Sequence, residues 1–238
     1  MIDWDELLDA YGPAVGIPAL LEQAASTPDS QAPVWGELWG RLCHQGTVYP
    51  ASFAALPILA DMAVQMPIDV NLPPLYLAAS ILAGADEPKL SAQARQQFPA
   101  EIAALRDLAV RLLDLTSDPT GFVHALQAVA AFEDLGSWPQ EVTAMLDDEI
   151  CDVWCPACGG TFDLEREGPL DDPGAFKDSI RGSSVVPASE ADMTRASARL
   201  VGLAREHDQV DVAAGILELA GTIGCPLCGA PVPLVPGE

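Results

Sequence analysis

Basic residues are scarce in this 238-residue chain, which contains 11 Lys and Arg residues against 35 Asp and Glu residues and has a net charge of −24. A protein that binds DNA or RNA neutralises phosphates with lysine and arginine, so the composition argues against direct nucleic-acid binding. The same deficit argues against attraction to an anionic membrane surface. We therefore expect neither a nucleic acid nor a membrane as a direct partner.

Long apolar segments are also missing. No uncharged apolar run reaches the roughly 18 residues that a membrane-spanning helix needs, because the longest candidates are interrupted at Pro57, Asp61, Pro67 and Asp69. The first six residues contain neither the basic region nor the apolar region of a signal peptide. These features predict a protein of a bacterial-type cytoplasm, where paired cysteines more often bind metals or carry out redox chemistry than form structural disulfides.

Recognisable catalytic motifs are absent as well. The sequence contains no phosphate-binding loop, no Gly-x-Gly-x-x-Gly dinucleotide motif, no His-Glu-x-x-His motif and no Gly-x-Ser-x-Gly motif. The three histidines, which we interpret as structural, are His44, His124 and His207. Carboxylates are so numerous that no catalytic pair stands out. We therefore predict no catalytic residue and a non-enzymatic function, and an unrecognised carboxylate site is the enzymatic alternative.

Prolines recur in the first part of the chain with a period of about forty residues. Within residues 1–149, four prolines are separated by 39, 42 and 40 residues, each after a large apolar residue: Ile17-Pro18, Leu56-Pro57, Phe98-Pro99 and Trp138-Pro139. Proline suits the first turn of a helix, because the N–H that it lacks has no partner there. Each apolar–proline pair therefore predicts the start of a helix.

Further amphipathic stretches predict helices at residues 4–10, 34–43, 72–83, 93–115 (divided by Pro99) and 120–135. Pairs of short helices at this period, with proline at a helix start, resemble HEAT and armadillo repeats. The resemblance implies an α-solenoid scaffold over residues 1–149 that binds other proteins, and it implies no catalytic residue. An irregular helical bundle with prolines at chance spacing stays open as the alternative.

Two Cys-Pro-x-Cys-Gly motifs follow, at residues 155–159 and 225–229. In such a motif, proline presets the turn, glycine adopts a positive φ, and backbone N–H groups can donate to two thiolates. The motifs resemble the zinc knuckles of zinc ribbons. The resemblance implies one structural Zn²⁺ ion per chain, held by the thiolates of Cys155, Cys158, Cys225 and Cys228. An iron–sulfur cluster and a redox-active cysteine pair remain alternatives.

The separation of the two cysteine pairs is unusual, since the 66 residues 159–224 lie between Cys158 and Cys225 where about 15 to 20 are common. Because this segment predicts two helices, we expect a helical hairpin at about 189–221 inserted into a split zinc ribbon that spans residues 150–238. The fold class is then mainly α with a small C-terminal zinc-ribbon β element. Cys43 and Cys151 lie outside the motifs, and we interpret them as small buried hydrophobes.

The charge distribution supplies the functional prediction. Residues 1–88 contain 11 acidic residues and a single basic residue, Arg41. Such a surface steers a basic protein toward itself. We predict a protein-binding scaffold with another, basic protein as its partner, and within this class a bacterial immunity or inhibitor protein that covers a basic toxin. Trp35 and Trp39 share a helix face, as core residues or as a binding anchor. The alternative function is a zinc-ribbon protein associated with nucleic acid or transcription.

Overall fold

The computed structural model describes residues 2–27, 29–68, 72–84, 87–144, 151–166 and 176–235. Helices account for 56% of these residues and the strands form small antiparallel sheets, which confirms the predicted mainly α class. Among the helices in these ranges, none combines the length and the apolar character needed to cross a bilayer. The chain divides into two compact units, Met1–Leu115 with Ala131–Asp134 and Thr116–Ala130 with Leu135–Glu238.

Within the described residues, the first unit contains two short antiparallel strand pairs and six α-helices. The first pair is β1 (Leu8–Asp9) with β2 (Gly12–Pro13), and the second is β3 (Cys43–His44) with β4 (Thr47–Val48). The helices are α1 (Ile17–Ala25), α2 (Pro33–Leu42), α3 (Pro50–Gln65), α4 (Pro73–Ala83), α5 (Pro88–Gln97) and α6 (Pro99–Leu115). Five of these six helices begin at a proline, which agrees with the preference of proline for the first turn.

The core of the first unit forms where α3 packs against α4 and α6, while α1 packs against α2. Its largest fully buried side chains are aliphatic and include Leu56 and Leu59 of α3, Ile81 of α4 and Leu105 of α6. Full burial of one such side chain stabilises the fold by about 1.5–3 kcal/mol. Hydrophobic packing rather than disulfide bonding therefore holds this unit together.

The second unit combines helices with two small sheets. Its helices are most of α7 (Pro119–Phe132), α8 (Trp138–Ala144), α9 (Arg195–Glu206) and α10 (Val210–Leu219). One antiparallel sheet has the order β5 (Cys151–Trp154), β6 (Thr161–Arg166) and β7 (Phe176–Asp178), and the other pairs β8 (Thr222–Gly224) with β9 (Pro231–Pro233). Helices α9 and α10 pack against each other and lie within the segment predicted to hold a helical hairpin. The predicted domain boundary at residues 149 and 150 lies outside the described residues.

Most predicted helix starts are present, and two predictions are wrong. Pro18, Pro99 and Pro139 lie in the first turns of α1, α6 and α8. Pro57, in contrast, lies inside α3, which begins seven residues earlier at Pro50. The helix predicted at residues 4–10 is replaced by a turn and strand β1, because Asp9 pairs across the strands and with a distant arginine instead of continuing a helix.

Candidate metal centre

The first pair of motif cysteines lies in the turn between β5 and β6. The N–H of Gly159 donates to the carbonyl of Cys155 at 2.8 Å, and the N–H of Cys155 donates to the carbonyl of Gly160 at 2.9 Å. Gly159 has a φ of +71°, a conformation that a side chain would strain. The turn holds Cys155 and Cys158 on one tight loop, with the sulfur of each free to bind a ligand.

The second pair repeats this geometry between β8 and β9. The N–H of Gly229 donates to the carbonyl of Cys225 at 2.8 Å, and the N–H of Cys225 donates to the carbonyl of Ala230, also at 2.8 Å. Gly229 has a φ of +79°. The two motifs thus form matching knuckle-like turns, which is the local structure that their shared sequence predicts.

All four motif sulfurs come together in the second unit. The Sγ atoms of Cys155 and Cys228 are 3.8 Å apart, those of Cys158 and Cys225 are 3.9 Å apart, and all four lie within 4.8 Å of one another. These separations are too long for disulfide bonds, in which the sulfurs are about 2.05 Å apart. A tetrahedral ion with metal–sulfur bonds of about 2.3 Å requires sulfurs about 3.8 Å apart. The arrangement therefore fits one metal ion.

The cysteines differ in exposure and in acidity. Cys155 and Cys225 are buried, whereas Cys158 and Cys228 are exposed. Burial raises the pKa of Cys225, but the N–H groups of Cys228 and Leu227 and the neighbouring thiols outweigh it and lower this pKa to about 7. The N–H of Ala230 lowers the pKa of Cys228, but partial desolvation of its thiol and the three other thiols raise it to about 11. A cation bound among the four sulfurs would favour their ionised forms, because a metal lowers the pKa of a coordinated thiol.

A close contact between the two knuckles involves residues that the sequence pattern alone does not identify. A Cβ atom added to Gly160 would overlap the side chain of Leu227, which belongs to the opposite knuckle, and would lie 3.5 Å from the sulfur of Cys158. A side chain at position 160 would therefore require the half-exposed side chain of Leu227 to move. The only sequence signal is that Cys158 is followed by two glycines, whereas Cys228 is followed by Gly229 and Ala230.

The remaining cysteines and tryptophans are distributed as follows. Cys43 is buried in β3 of the first unit, as predicted, and is not part of the cluster. The side chain of Cys151 lies outside the described residues. Trp35 is buried in the core, whereas Trp39, one helical turn later, is exposed. The two tryptophans thus occupy different environments although their spacing places them on one side of α2.

No family model, no curated protein and no solved structure matches this chain. The fold and the site therefore define the protein only as a mainly helical chain with a four-cysteine cluster that could hold a metal ion. The geometry and charge of its own residues are therefore the basis on which its function is inferred.

Proposed function

We propose that the four thiolates hold one Zn²⁺ ion in a closed structural site. The sulfur–sulfur distances of 3.8 and 3.9 Å support a single tetrahedral ion. In an iron–sulfur cluster the four thiolates are distributed over two or four iron ions, so the compact arrangement of four sulfurs within 4.8 Å favours a single ion. Four protein ligands complete the tetrahedron and leave no position for a reactive water, which is typical of structural zinc.

Metal analysis of the purified chain tests this assignment. We expect one zinc per chain after growth with both zinc and iron, and loss of the metal in Cys155→Ser and Cys228→Ser. Cys43→Ser is the matched control, because Cys43 is buried but lies outside the cluster. Iron in place of zinc, or a full complement of metal in the two variants, would contradict the proposed site.

We further propose that the protein is a non-catalytic, acidic scaffold that binds a basic protein. One observation carries this function: seven of the eight acidic residues in the range 2–68 are exposed, whereas Arg41, the single basic residue in that range, is already paired. The exposed acidic residues before residue 69 are Asp3, Asp5, Glu6, Glu22, Asp29, Glu37 and Asp61. Arg41 contacts Asp9 at 2.7 Å and Glu37 at 3.6 Å. The surface is therefore complementary to a cationic partner.

The finer version of this proposal is a HEAT-like α-solenoid that acts as a bacterial immunity or inhibitor protein against a basic toxin. Short helices that begin at proline support the repeat interpretation, and the acidic surface supports a basic target. Inhibition by covering a cationic active surface would use charge for rapid association, with rates that fall as salt rises.

Affinity capture followed by titration tests the binding function. The immobilised chain should retain a basic protein from extracts of its own cells, and the purified partner should bind more weakly when salt increases from about 0.05 to 0.5 M, since screening shortens the Debye length. A variant with Asp3→Asn, Asp5→Asn and Glu6→Gln should bind less tightly. Retention of no protein would contradict the proposal, and salt-dependent binding of an oligonucleotide instead would favour the nucleic-acid alternative.

A further inference from the structure

The first unit contains an apolar cavity of about 390 Å³. Its wall is built by the N-terminal segment, α3 and α5, through Ile2, Leu7, Phe53, Pro57, Leu90 and Phe98. All the described residues that line it are uncharged. The volume lies near the lower end of the roughly 300–1,000 Å³ of ligand pockets, which suits one inserted side chain better than a large cofactor.

Two kinds of polar group accompany this apolar wall. Gln93 and Gln97 are exposed, lie one turn apart on α5 and line the cavity with side chains that can donate and accept hydrogen bonds. The carbonyl of Phe53 loses its usual helical donor, because residue 57 is a proline and has no N–H. Phe53 and Pro57 both line the cavity, so this carbonyl belongs to a helical turn beside it. An apolar group that carries an N–H donor matches such a site.

The charges beside the cavity have one predominant sign. Asp3, Asp5 and Glu6 are exposed and lie between Ile2 and Leu7, two residues of the wall. None of these three carboxylates lines the cavity itself, and neither do the two basic residues of α5, Lys89 and Arg95. The guanidinium of Arg95 donates to the carbonyls of Ala131 and Phe132 and contacts Asp134. A basic segment approaching the cavity from the N-terminal side therefore meets three carboxylates.

We propose that this cavity is the site at which the basic protein partner binds, by inserting one apolar side chain of a lysine- or arginine-rich segment. The inserted residue is one with an N–H donor, as tryptophan has, and its cationic neighbours face Asp3, Asp5 and Glu6. The inference rests on the proposed function, because it names where and by which chemistry the partner is recognised. Aromatic anchors in pockets commonly dominate binding energy in protein interfaces.

Two short acetylated peptides test the proposal: one with tryptophan between two lysine runs, and one with glycine at the central position. We expect the tryptophan peptide to bind the full-length protein at least about tenfold more tightly in calorimetric titration, because burial of an aromatic side chain exceeds the tenfold equivalent of about 1.4 kcal/mol. Neutralising Asp3, Asp5 and Glu6 should weaken both peptides and leave their ratio unchanged.

A matched pair of variants locates the site. Ala54 lines the cavity on α3, and Ala54→Trp fills it, so this variant should abolish the preference for tryptophan. Ala92 is exposed on α5 and does not line the cavity, so Ala92→Trp should leave the preference intact. Methyl NMR of the unaltered protein needs no variant: the tryptophan peptide should shift the signals of Leu7 and Leu90, which line the cavity, and leave Leu164 of β6 unchanged.

The failures of this inference and of the proposed function can be told apart. Equal salt-dependent binding of both peptides, or methyl shifts confined to other residues, would overturn the cavity as the recognition site while the acidic scaffold stands. N-acetyltryptophanamide binding as tightly as the tryptophan peptide would overturn the basic segment as occupant. Absence of peptide binding overturns the inference, and only a failed capture of a basic protein by the whole chain would also overturn the function.

Discussion

Asp9 is a buried carboxylate whose oxygens accept hydrogen bonds from two donors. The guanidinium of Arg41 donates to it at 2.7 Å and the N–H of Tyr11 at 2.8 Å. The hydrogen bond to Asp9 raises the pKa of Arg41, so the guanidinium stays charged. In Arg41→Met the carboxylate remains buried without its charged partner. We expect the free energy of unfolding to fall by about 3 kcal/mol, the lower end for broken buried pairs because Arg41 is partly exposed, as measured by urea denaturation.

Arg106→Met is the control for this prediction. Arg106 contacts its neighbour Asp107 at 2.6 Å, but both side chains are exposed. Exposed ion pairs contribute about 0–1 kcal/mol, so this variant should change the unfolding free energy by less than about 0.5 kcal/mol. Similar losses in both variants would show that burial of Asp9 is not what makes its pair important.

Asp178 supplies a prediction with a defined pH dependence. Its carboxylate is buried and accepts hydrogen bonds from the N–H groups of Ile180 and Ser183 at 3.1 and 2.8 Å, with a further one from Arg181. Burial raises its pKa, but these hydrogen bonds outweigh burial and the pKa is lowered. Since the folded pKa lies below the unfolded value of about 3.9, the stabilisation is present above that pH and is lost as the pH falls through the folded pKa.

Asp178→Asn should therefore lower the unfolding free energy by about 1–3 kcal/mol at pH 7, because hydrogen bonds to a charged acceptor are replaced by weaker ones. The difference from the unaltered protein should shrink when the denaturation is repeated below about pH 4. Ser179→Ala, at an exposed neighbour, is the control. A difference that does not vary with pH would contradict the role of the ionised carboxylate.

Some of these residues can be predicted from the sequence alone, and others cannot. The motif cysteines are found because their ligand chemistry and their spacing within each turn are local properties. Asp9 and Arg41 are 32 positions apart, and nothing in the sequence pairs these two charges among many acidic residues. The contact of Gly160 with Leu227 is equally hidden, because it depends on how two distant turns approach each other.

Helices begin at or next to the predicted prolines, except where two prolines lie within the same helix. Helix α3 contains Pro50 and Pro57, and both are compatible with a helix start. The helix begins at Pro50, where the N–H of Tyr49 is satisfied by the hydroxyl of Ser52 at 2.9 Å. Leu56 and Leu59, before and after Pro57, are buried in the core, so packing extends the helix through a residue that disfavours it. Periodicity alone does not weigh these effects.

Pro57→Ala should stabilise the first unit. The substitution restores an N–H donor to the carbonyl of Phe53 and removes a helix-interior proline, which costs about 3 kcal/mol. Greater freedom of the unfolded chain offsets up to about 1 kcal/mol. We expect a net gain of about 2 kcal/mol in chemical denaturation. Pro50→Ala, at the first position of the same helix, gains no internal hydrogen bond and should change stability by less than about 1 kcal/mol. A destabilised Pro57→Ala would mean that the Phe53 carbonyl is already satisfied.

For the molecule as a whole, composition and periodicity predict the mainly α class correctly. Four prolines at forty-residue intervals also predicted a solenoid, but one of the four, Pro57, does not start a helix, and the solenoid stays a prediction. The convergence of two cysteine pairs across 66 residues was predicted from their shared motif, since two thiolates leave a tetrahedral ion half-bound. The packing of α9 and α10, which lie between the two cysteine pairs, depends on contacts between distant residues. Local sequence patterns do not predict such contacts.

Removal of the metal should destabilise the two units unequally. Structural zinc contributes folding free energy directly, because its site does not exist in the unfolded chain. We expect a chelator to lower the stability of the second unit by at least about 3 kcal/mol. In hydrogen exchange, β5, β6, β8 and β9 should lose protection, whereas α3 and α4 should keep theirs.

Added zinc should reverse this change, and Cys155→Ser should reproduce it without a chelator. The control is Cys43→Ser, which leaves the cluster intact and should retain exchange protection of the four strands. An unchanged exchange pattern in the chelator-treated protein would contradict a structural role for the metal.

The distance along the chain between the two cysteine pairs also sets an order of events during synthesis. Ribosomes add roughly 5 to 20 residues per second, so Cys225 is made about 3 to 13 seconds after Cys158, given the 66 residues between them. Throughout that interval the nascent polypeptide offers an incomplete chelate with two sulfurs. Closure of the four-sulfur site within one chain therefore has to wait until the second motif has been made.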